Sequence, residues 1–279
     1  MNQVQSKQRG GFSFRKLMLT LLFLYISLLL FAYFLSDILI FPANPSSYQD
    51  DANILKLTTA NDEKISAMYL PNPQATYTVL HSHGNAEDIG EVKLLLEDLR
   101  AHGFAAFGYD YQGYGTSSGT PSEQNTYYDV EAAYHYLTQT LHIPPNNIIA
   151  YGRSLGTGVT VELASRYPLA GVILESPYLS TFRVKTYLPL VPFDKFSNIN
   201  KIQHIHVPLL IIHSRQDEVI PFWHGKQLWE MANAPKQKLW LDNIGHADIP
   251  FQGEEYWQAI QQLVTTITEI NHPKEPIHD

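Results

Sequence analysis

A glycine–serine–glycine pattern in the middle of the chain is the first feature that could carry chemistry. Gly152-Arg153-Ser154-Leu155-Gly156 has the form G-x-S-x-G, between the apolar run 148–151 and a helical pattern over 155–166. The two glycines permit a sharp strand-to-helix turn that lifts a serine hydroxyl away from its own backbone. A helix N-terminus below the serine favours developing negative charge. This context predicts that Ser154 is a nucleophile rather than an incidental serine in a tight turn.

A nucleophilic serine needs a base, and the base needs a carboxylate that orients it. Asp217 follows the apolar run 209–213, and His246 comes shortly after the run 239–241, so both stand in loops after strands. The order serine, acid, histidine is the one that this type of turn takes along the chain. The spacing therefore predicts a catalytic triad of Ser154, Asp217 and His246.

Two other carboxylates also come at the ends of strand-like runs. Glu175 ends the strand-like run 172–175, the next one after Ser154, and it is the alternative to Asp217 as the acid. Asp110 ends an earlier run and precedes Ser154 in the chain, which is the wrong order for the triad. We expect Asp110 to anchor the turn that follows it.

The segment His83-Gly84-Asn85-Ala86 follows the first long apolar run and predicts an oxyanion loop. Gly84 lets the backbone turn so that the N–H group of Asn85 points at the reacting carbonyl oxygen. The N–H group of Leu155, directly after the nucleophile, supplies the second donor.

Two histidine pairs have the H-x-H spacing that metal sites use, His81 with His83 and His204 with His206. Neither pair has a third ligand at a convincing spacing, whereas a zinc site needs at least three protein ligands. We therefore expect no metal and no other cofactor.

Strand-like and helix-like segments alternate over most of the chain. Eight strand-like runs, the first two forming a hairpin, are interleaved with apolar residues at helical spacing. This order predicts an α/β fold with a mostly parallel eight-stranded sheet and helices on both faces. In such folds, ligands bind at the carboxyl ends of the strands.

The stretch 176–207 is long, rich in proline and aromatic residues, and without a clear element of its own. Such an insertion in a compact α/β domain is normally functional, and we expect it to form a short lid. Its apolar side chains either line an acyl pocket or cover the edge of the sheet. These side chains are Tyr178, Leu188, Leu190, Val191 and Phe193.

The N-terminal end is typical of a membrane anchor. Residues 17–35 contain no charge, glycine or proline, and as a helix they would span roughly 28 Å. A cleaved signal peptide, with a shorter apolar core and a small-residue cleavage site, is one alternative, and a buried soluble helix is another. We expect an uncleaved signal-anchor over 17–41. The basic segment 1–16 then stays in the cytoplasm, and 42–279 lies across the membrane, in the periplasm of a bacterium or in an organelle lumen.

The composition excludes several classes of protein. The net charge is −8, and the four charged residues among the first sixteen are all basic, so the rest of the chain is more acidic still. Such a surface repels phosphate backbones, which argues against nucleic-acid binding. The chain has no Cys, which excludes disulfides, thiolate catalysis and cysteine-ligated zinc.

These motifs together resemble the α/β-hydrolase superfamily, and within it the small-lid, membrane-associated branch that includes eukaryotic protein depalmitoylases. The resemblance covers about residues 37–270. Besides the motifs above, it depends on four further groups of residues. They are Asp37-Ile38-Leu39-Ile40-Phe41-Pro42 with Pro45-Ser46-Ser47-Tyr48, Tyr109-Asp110-Tyr111-Gln112-Gly113-Tyr114-Gly115, Ser118-Gly119 with Pro121-Ser122-Glu123, and Asp217-Glu218-Val219-Ile220 with Gly245-His246.

The resemblance implies that Ser154 is the nucleophile, Asp217 the acid and His246 the base. It also implies that the backbone amides of Asn85 and Leu155 form the oxyanion hole. It implies a small-molecule or lipid-like acyl ester or thioester as the substrate. The depalmitoylases are tethered by lipidated cysteines on the cytosolic side, whereas this chain has no Cys and an apolar run, so depalmitoylation is not expected. A serine aminopeptidase of the same fold and a non-catalytic, membrane-anchored scaffold remain the alternatives.

Overall fold

The computed structural model describes residues 13–42, 44–233, 235–251 and 253–271. The chain divides into two compact units, one running to Leu39 and the other beginning at Ile40. Most of the expected basic segment (residues 1–12) and the last eight residues of the chain (272–279) lie outside the described residues.

The first unit is dominated by one apolar helix, α1, which runs from Phe14 to Phe34. Its most apolar 18-residue window has a mean hydropathy of 2.4, and it is the one helix in the described part of the chain that is long and apolar enough to cross a membrane. Nearly all of its side chains are exposed. Such a helix is a candidate membrane anchor.

The range 17–41, predicted as one anchor helix, is covered by two helices. A break at Leu35 separates α1 from a short helix, α2, over Ser36–Ile40. The Ser36 hydroxyl donates to the carbonyl of Ala32 at 2.6 Å. A serine hydroxyl that bonds four residues back competes with the backbone ladder and often bends a helix.

The second unit begins two residues before the expected boundary at residue 42. Ile40 and Phe41 are both buried within this unit, and the Phe41 ring packs against Phe196 with centroids 6.1 Å apart. These two apolar side chains therefore belong to the core of the α/β domain rather than to the anchor.

An eight-stranded sheet forms the centre of the second unit, in the spatial order β1-β2-β4-β3-β5-β6-β7-β8. The first two strands pair as an antiparallel hairpin, and β2 also pairs antiparallel to β4; all the other pairs are parallel. The strands are β1 Ile54–Thr58, β2 Lys64–Leu70, β3 Thr78–Ser82, β4 Ala105–Tyr109, β5 Ile148–Arg153, β6 Gly171–Glu175, β7 Leu209–Ser214 and β8 Lys236–Leu241. The prediction of a mostly parallel, eight-stranded α/β-hydrolase sheet is confirmed.

Helices cover both faces of this sheet. Two apolar clusters form the core, one on each face: the first includes side chains of α4, α5 and α8, and the second those of α3 and α9. The helices of this unit are α3 Lys93–Ala101, α4 Glu123–His135, α5 Gly156–Arg166, α6 Arg183–Thr186, α7 Asn198–Lys201, α8 Trp223–Met231 and α9 Glu254–Asn271. In the buried strands, neighbours such as Val79 and Leu80 point into opposite clusters, as the pleat requires.

Apolar residues at helical spacing begin at Ile89 in the sequence, but the helix α3 begins at Lys93. The Asp88 carboxylate accepts the N–H groups of Gly90 and Glu91, at 3.0 and 3.2 Å. Such an aspartate stabilises a turn in place of the first helical turn, and helical spacing alone does not reveal it.

The insertion over 176–207 carries two short helices, α6 and α7, and its apolar side chains divide into two groups. Tyr178 and Phe196 are buried in the core of the domain. Leu188 and Leu190, in contrast, are 65% and 51% exposed, and Val191 and Phe193 are half-buried. Tyr178 therefore packs in the core of the domain, whereas Leu188 and Leu190 are exposed.

Candidate active site

Ser154 lies in the turn between β5 and α5, with a left-handed backbone conformation, φ = 49°. A non-glycine residue rarely adopts this conformation, and the nucleophile turn of α/β hydrolases is a strained one. The N–H group of Ser154 donates to the carbonyl of Glu175 at 2.9 Å, and its own carbonyl accepts from the N–H of Thr157 at 3.0 Å. These bonds hold the strained residue at the carboxyl end of the sheet.

The two glycines of the motif are required by close backbone packing. A methyl group on Gly152 would lie 2.5 Å from the carbonyl oxygen of Gly156, and one on Gly156 would collide with the carbonyl oxygen of Ser82 in β3. Both obstacles are backbone atoms, which do not move aside as a flexible side chain does. The glycines therefore let α5 begin directly behind Ser154.

Tyr178 lies beneath this turn. Its hydroxyl donates to the carbonyl of Leu155 at 3.2 Å, and a methyl group on Gly158 would lie 2.5 Å from that hydroxyl. Tyr178 thus fixes the first turn of α5, and burial raises the pKa of its hydroxyl well above the usual range.

The structure brings the predicted acid and base together. Asp217 lies in the loop after β7, and its Oδ2 is 2.8 Å from Nδ1 of His246. The other carboxylate oxygen accepts the N–H groups of Ile220 and Val219 at 2.7 and 3.0 Å. The carboxylate is therefore fixed in its loop, with one oxygen aimed at the imidazole.

Two further side chains contact Asp217 Oδ2. The Ser176 hydroxyl donates to it at 2.7 Å, and Nε2 of the buried His213 lies 3.4 Å away. Partial burial tends to raise the pKa of Asp217, but hydrogen bonds from His213 and His246 outweigh it, so the pKa lies well below the usual range. Asp217 consequently stays ionised at neutral pH.

The loop that carries His246 is held by its backbone. Its N–H group donates to Glu218 Oε2 at 3.1 Å, and its carbonyl accepts a long hydrogen bond, 3.4 Å, from Nη2 of Arg153. The imidazole side chain is 12% exposed. His246 therefore stands at the opening of the site rather than in the core.

The segment over 83–86 lies directly beside the nucleophile. A methyl group on Gly84 would be 3.7 Å from Cβ of Ser154. The side-chain amide of Asn85 donates to the carbonyl of Ile40 at 2.8 Å, and Ala86 has a left-handed conformation, φ = 62°. Within the described residues, the N–H groups of Asn85 and Leu155 make no backbone–backbone hydrogen bond in these loops.

The alternative acid, Glu175, is fully buried but has other partners. Its Oε1 is 3.0 Å from Nε of Arg153, and its other oxygen accepts from the Tyr151 hydroxyl. Burial raises its pKa, although the Arg153 charge opposes this. The geometry favours Asp217, not Glu175, as the partner of His246.

Asp110 lies apart from this acid–base pair. Its carboxylate accepts from Ile89 N–H at 2.7 Å and from the Tyr48 hydroxyl at 2.5 Å, and it lies against Gly115 in the turn that follows it. Burial raises the pKa of Asp110 to about 7. The carboxylate of Asp110 is therefore bound by two distant segments beside that turn, and its role as the anchor of the turn stays a prediction.

The two H-x-H histidine pairs do not form a metal site in the described part of the structure. His81 is buried with its ring edge-on to Tyr151, centroids 4.9 Å apart, and burial lowers its pKa to about 3. His83 Nδ1 lies 2.8 Å from the carbonyl of Gly84. Within the parts of the chain that the structure describes, no group of three or more His, Asp or Glu could hold a metal ion.

Four residues at the site escaped the sequence reasoning: Arg153, Glu87, Ser176 and His213. For Arg153 a signal existed, because it places a charge at the end of an otherwise apolar run that must be buried. The other three carry no such signal, since they reach the site only through contacts between distant segments.

Comparison with known proteins places the chain in a family. Residues 73–196 match the family model described as serine aminopeptidase, S33. The chain is 43% identical over 229 residues to α/β-hydrolase domain-containing protein 17B of Homo sapiens, covering 79% of this chain and 78% of that protein. It is 40% identical over 224 residues to the 17C protein of Mus musculus, covering 77% and 68%.

Solved structures share the fold at low sequence identity. An esterase of Pyrococcus furiosus has a TM-score of 0.69 and 17% identity, covering 81% of this chain and 97% of that chain. An esterase of Thermogutta terrifontis has a TM-score of 0.60 and 17% identity, covering 77% and 99%. The predicted superfamily and the predicted class of enzyme are confirmed. The chain belongs to the α/β-hydrolase superfamily, in the family of α/β-hydrolase domain-containing protein 17, and is a serine hydrolase.

Proposed function

We propose that the chain hydrolyses carboxylic esters or thioesters through an acyl intermediate on Ser154. The observation that carries this proposal is the 2.8 Å contact between His246 Nδ1 and Asp217, at the same end of the sheet as the strained Ser154. With Nδ1 directed at the carboxylate, Nε2 is the nitrogen that takes the serine proton.

The reaction then proceeds in two halves. The Ser154 oxygen attacks the carbonyl carbon while His246 accepts the hydroxyl proton, and the N–H groups of Asn85 and Leu155 stabilise the oxyanion. His246 returns the proton to the leaving alcohol or thiol as the acyl-enzyme forms. Water attacks this intermediate with His246 again as the base, and the bond to Ser154 then breaks as His246 returns the proton to the serine oxygen and the carboxylic acid leaves. Asp217 stays ionised throughout and holds the imidazole in its working tautomer.

The acyl group that we propose is apolar. The exposed Leu188 and Leu190 and the half-buried Val191 and Phe193 offer an apolar surface on the insertion over 176–207. Burial of each additional CH₂ group of a substrate contributes about 0.8 kcal/mol. An acyl chain that contacts this surface would therefore bind better as it lengthens, up to the size of the surface.

The family model for serine aminopeptidases favours peptide hydrolysis as a second candidate. A direct test compares p-nitrophenyl esters from acetyl to palmitoyl, the matching acyl thioesters, and aminoacyl p-nitroanilides. We expect ester and thioester turnover with an optimum chain length and no turnover of the anilides. Turnover of the anilides alone would overturn the proposal, and a flat chain-length profile would count against the apolar acyl surface. The scaffold alternative predicts no turnover of any of them.

We also propose that α1 anchors the protein with its N-terminus in the cytoplasm and the hydrolase domain across the membrane. The basic residues Arg15 and Lys16 lie in the first turn of α1, on the N-terminal side of its apolar run, and positive charges stay on the cytoplasmic side. Because the chain has no Cys, single-cysteine variants report topology without background. In intact cells, a membrane-impermeant maleimide should label Gln139→Cys and leave Ser6→Cys unlabelled. The reverse pattern would place the active site in the cytoplasm.

A further inference from the structure

Arg153, the residue before the nucleophile, is a buried cation at the end of β5. Its side chain is 11% exposed, and it lies between two carboxylates. Nε is 3.0 Å from Oε1 of the fully buried Glu175, and Nη1 donates to Oε1 of Glu87. Burial lowers the pKa of the guanidinium, but Glu175 and Glu87 outweigh it and raise the pKa above its ordinary value. Arg153 therefore keeps its charge inside the domain.

A buried ion triad is a weak source of stability. The cost of taking the charges out of water offsets most of their attraction, and well-packed apolar residues often serve stability equally well. What the triad does supply is fixed geometry, because a guanidinium makes directed hydrogen bonds to two carboxylates at once. The other hydrogen bonds of Glu87 and Glu175 show which loops the triad fixes.

On one side, the triad reaches the loop over 83–86. Glu87 Oε2 accepts the N–H group of Gly84 at 2.8 Å, and a methyl group on Gly84 would lie only 2.7 Å from the same oxygen. Glu87 thus holds Gly84, the residue between His83 and the proposed oxyanion donor Asn85. Arg153 in turn holds Glu87.

On the other side, the triad reaches the elbow and the base. The carbonyl of Glu175 accepts the N–H group of Ser154, so Arg153 binds the residue that holds the strained nucleophile. A third contact, from Nη2, reaches the carbonyl of His246 at 3.4 Å. The Arg153 guanidinium therefore contacts the loop of His246 directly. It contacts the loops of Asn85 and Ser154 through Glu87 and Glu175.

We propose that Arg153 is a positioning residue, whose guanidinium, held between Glu87 and Glu175, ties the oxyanion loop and the His246 loop to the elbow of Ser154. This inference rests on the proposed function. It assigns Arg153 no contact with the substrate, so its loss should lower kcat and leave KM nearly unchanged.

The test uses steady-state kinetics of the full-length protein on p-nitrophenyl butyrate. We expect Arg153→Met to lower kcat by about 10²–10³-fold, the range seen when one oxyanion donor is lost, with KM within about threefold of the wild type. Arg153→Lys keeps a charge but not the two-sided geometry, and it should recover only part of kcat. Arg166 is the matched control, because it also pairs with two glutamates, Glu131 and Glu162, at the far end of α5. Arg166→Met should keep kcat.

A second variant separates positioning from stability. Arg153→Met leaves the fully buried Glu175 and the partly exposed Glu87 without their cation, which is destabilising. The triple variant Glu87→Gln, Arg153→Met, Glu175→Gln removes those charges, so its Tm should return towards that of the wild type. If Arg153 positions the loops, kcat of the triple variant stays low despite the restored Tm. If kcat returns together with Tm, or if Arg153→Met keeps wild-type kcat, the inference is wrong.

These outcomes are distinct from failure of the proposed function. A wild-type protein that turns over no ester would refute the function before any variant is compared. If the wild type is active and Arg153→Met has the same kcat, only the positioning role is refuted, and the proposed function stands.

Discussion

Replacing Ser154 with Ala is expected to lower kcat for ester hydrolysis on the order of a million-fold, as loss of the nucleophile does in other serine hydrolases. The reason is that no other group stands at the elbow to form the acyl intermediate. The remaining activity comes from the oxyanion donors and from substrate binding alone. Steady-state rates of purified wild type and variant on the same ester measure the effect.

Ser165→Ala is the control for this prediction. Ser165 lies on the same helix, α5, and its hydroxyl only donates to the carbonyl of Glu162. This variant should keep kcat within about twofold, since surface substitutions of this kind change little. A Ser154→Ala variant that retained more than a small fraction of the wild-type kcat would remove Ser154 from the mechanism.

The second large effect is expected for Asp217→Asn, which should lower kcat by about 10⁴-fold with little change in KM. Asn has nearly the same shape, but its amide presents a neutral group to Nδ1 of His246. The imidazole then loses the carboxylate that selects its tautomer and stabilises its charged form. The hydrogen bond from Ser176 and those from the backbone N–H groups hold the side chain in place, so the fold should survive.

Asp242→Asn provides the comparison. Asp242 is an exposed carboxylate shortly before His246 in the chain, and it pairs with Arg215 at 3.4 Å. Its loss should leave kcat unchanged, which would separate the specific partner of His246 from a nearby charge. Equal, small effects of both substitutions would mean that Asp217 is not the acid.

Much of the fold was predictable from the sequence because its signals are local. Apolar β-branched runs such as Leu209–Ser214 form buried strands, and alternation with helical spacing dictates parallel pairing. Because carboxyl ends of parallel strands share one edge, the positions of Ser154 and Asp217 relative to their strands already predicted that they would converge.

The parts that were not predictable depend on contacts between distant segments. The partnership of Arg153 with Glu87 joins residues 66 positions apart, and no local pattern indicates it. The sequence could not decide between a pocket-lining and a buried Tyr178, because an aromatic residue in a proline-rich loop has no periodicity that shows which way it faces. The break after α1 comes with a hydrogen bond from the Ser36 hydroxyl to the carbonyl of Ala32, and it directly follows a run that contains no charge, glycine or proline to signal it.

The most direct test of the central claim is to locate the adduct of a fluorophosphonate probe on the full-length, membrane-bound protein by peptide mass spectrometry. An activated serine reacts with such a probe, whereas an ordinary serine hydroxyl does not. We expect a single adduct on Ser154 in the wild type and none in Ser154→Ala. An adduct on another serine, or no adduct on folded protein that still hydrolyses esters, would contradict the assignment of Ser154 as the nucleophile.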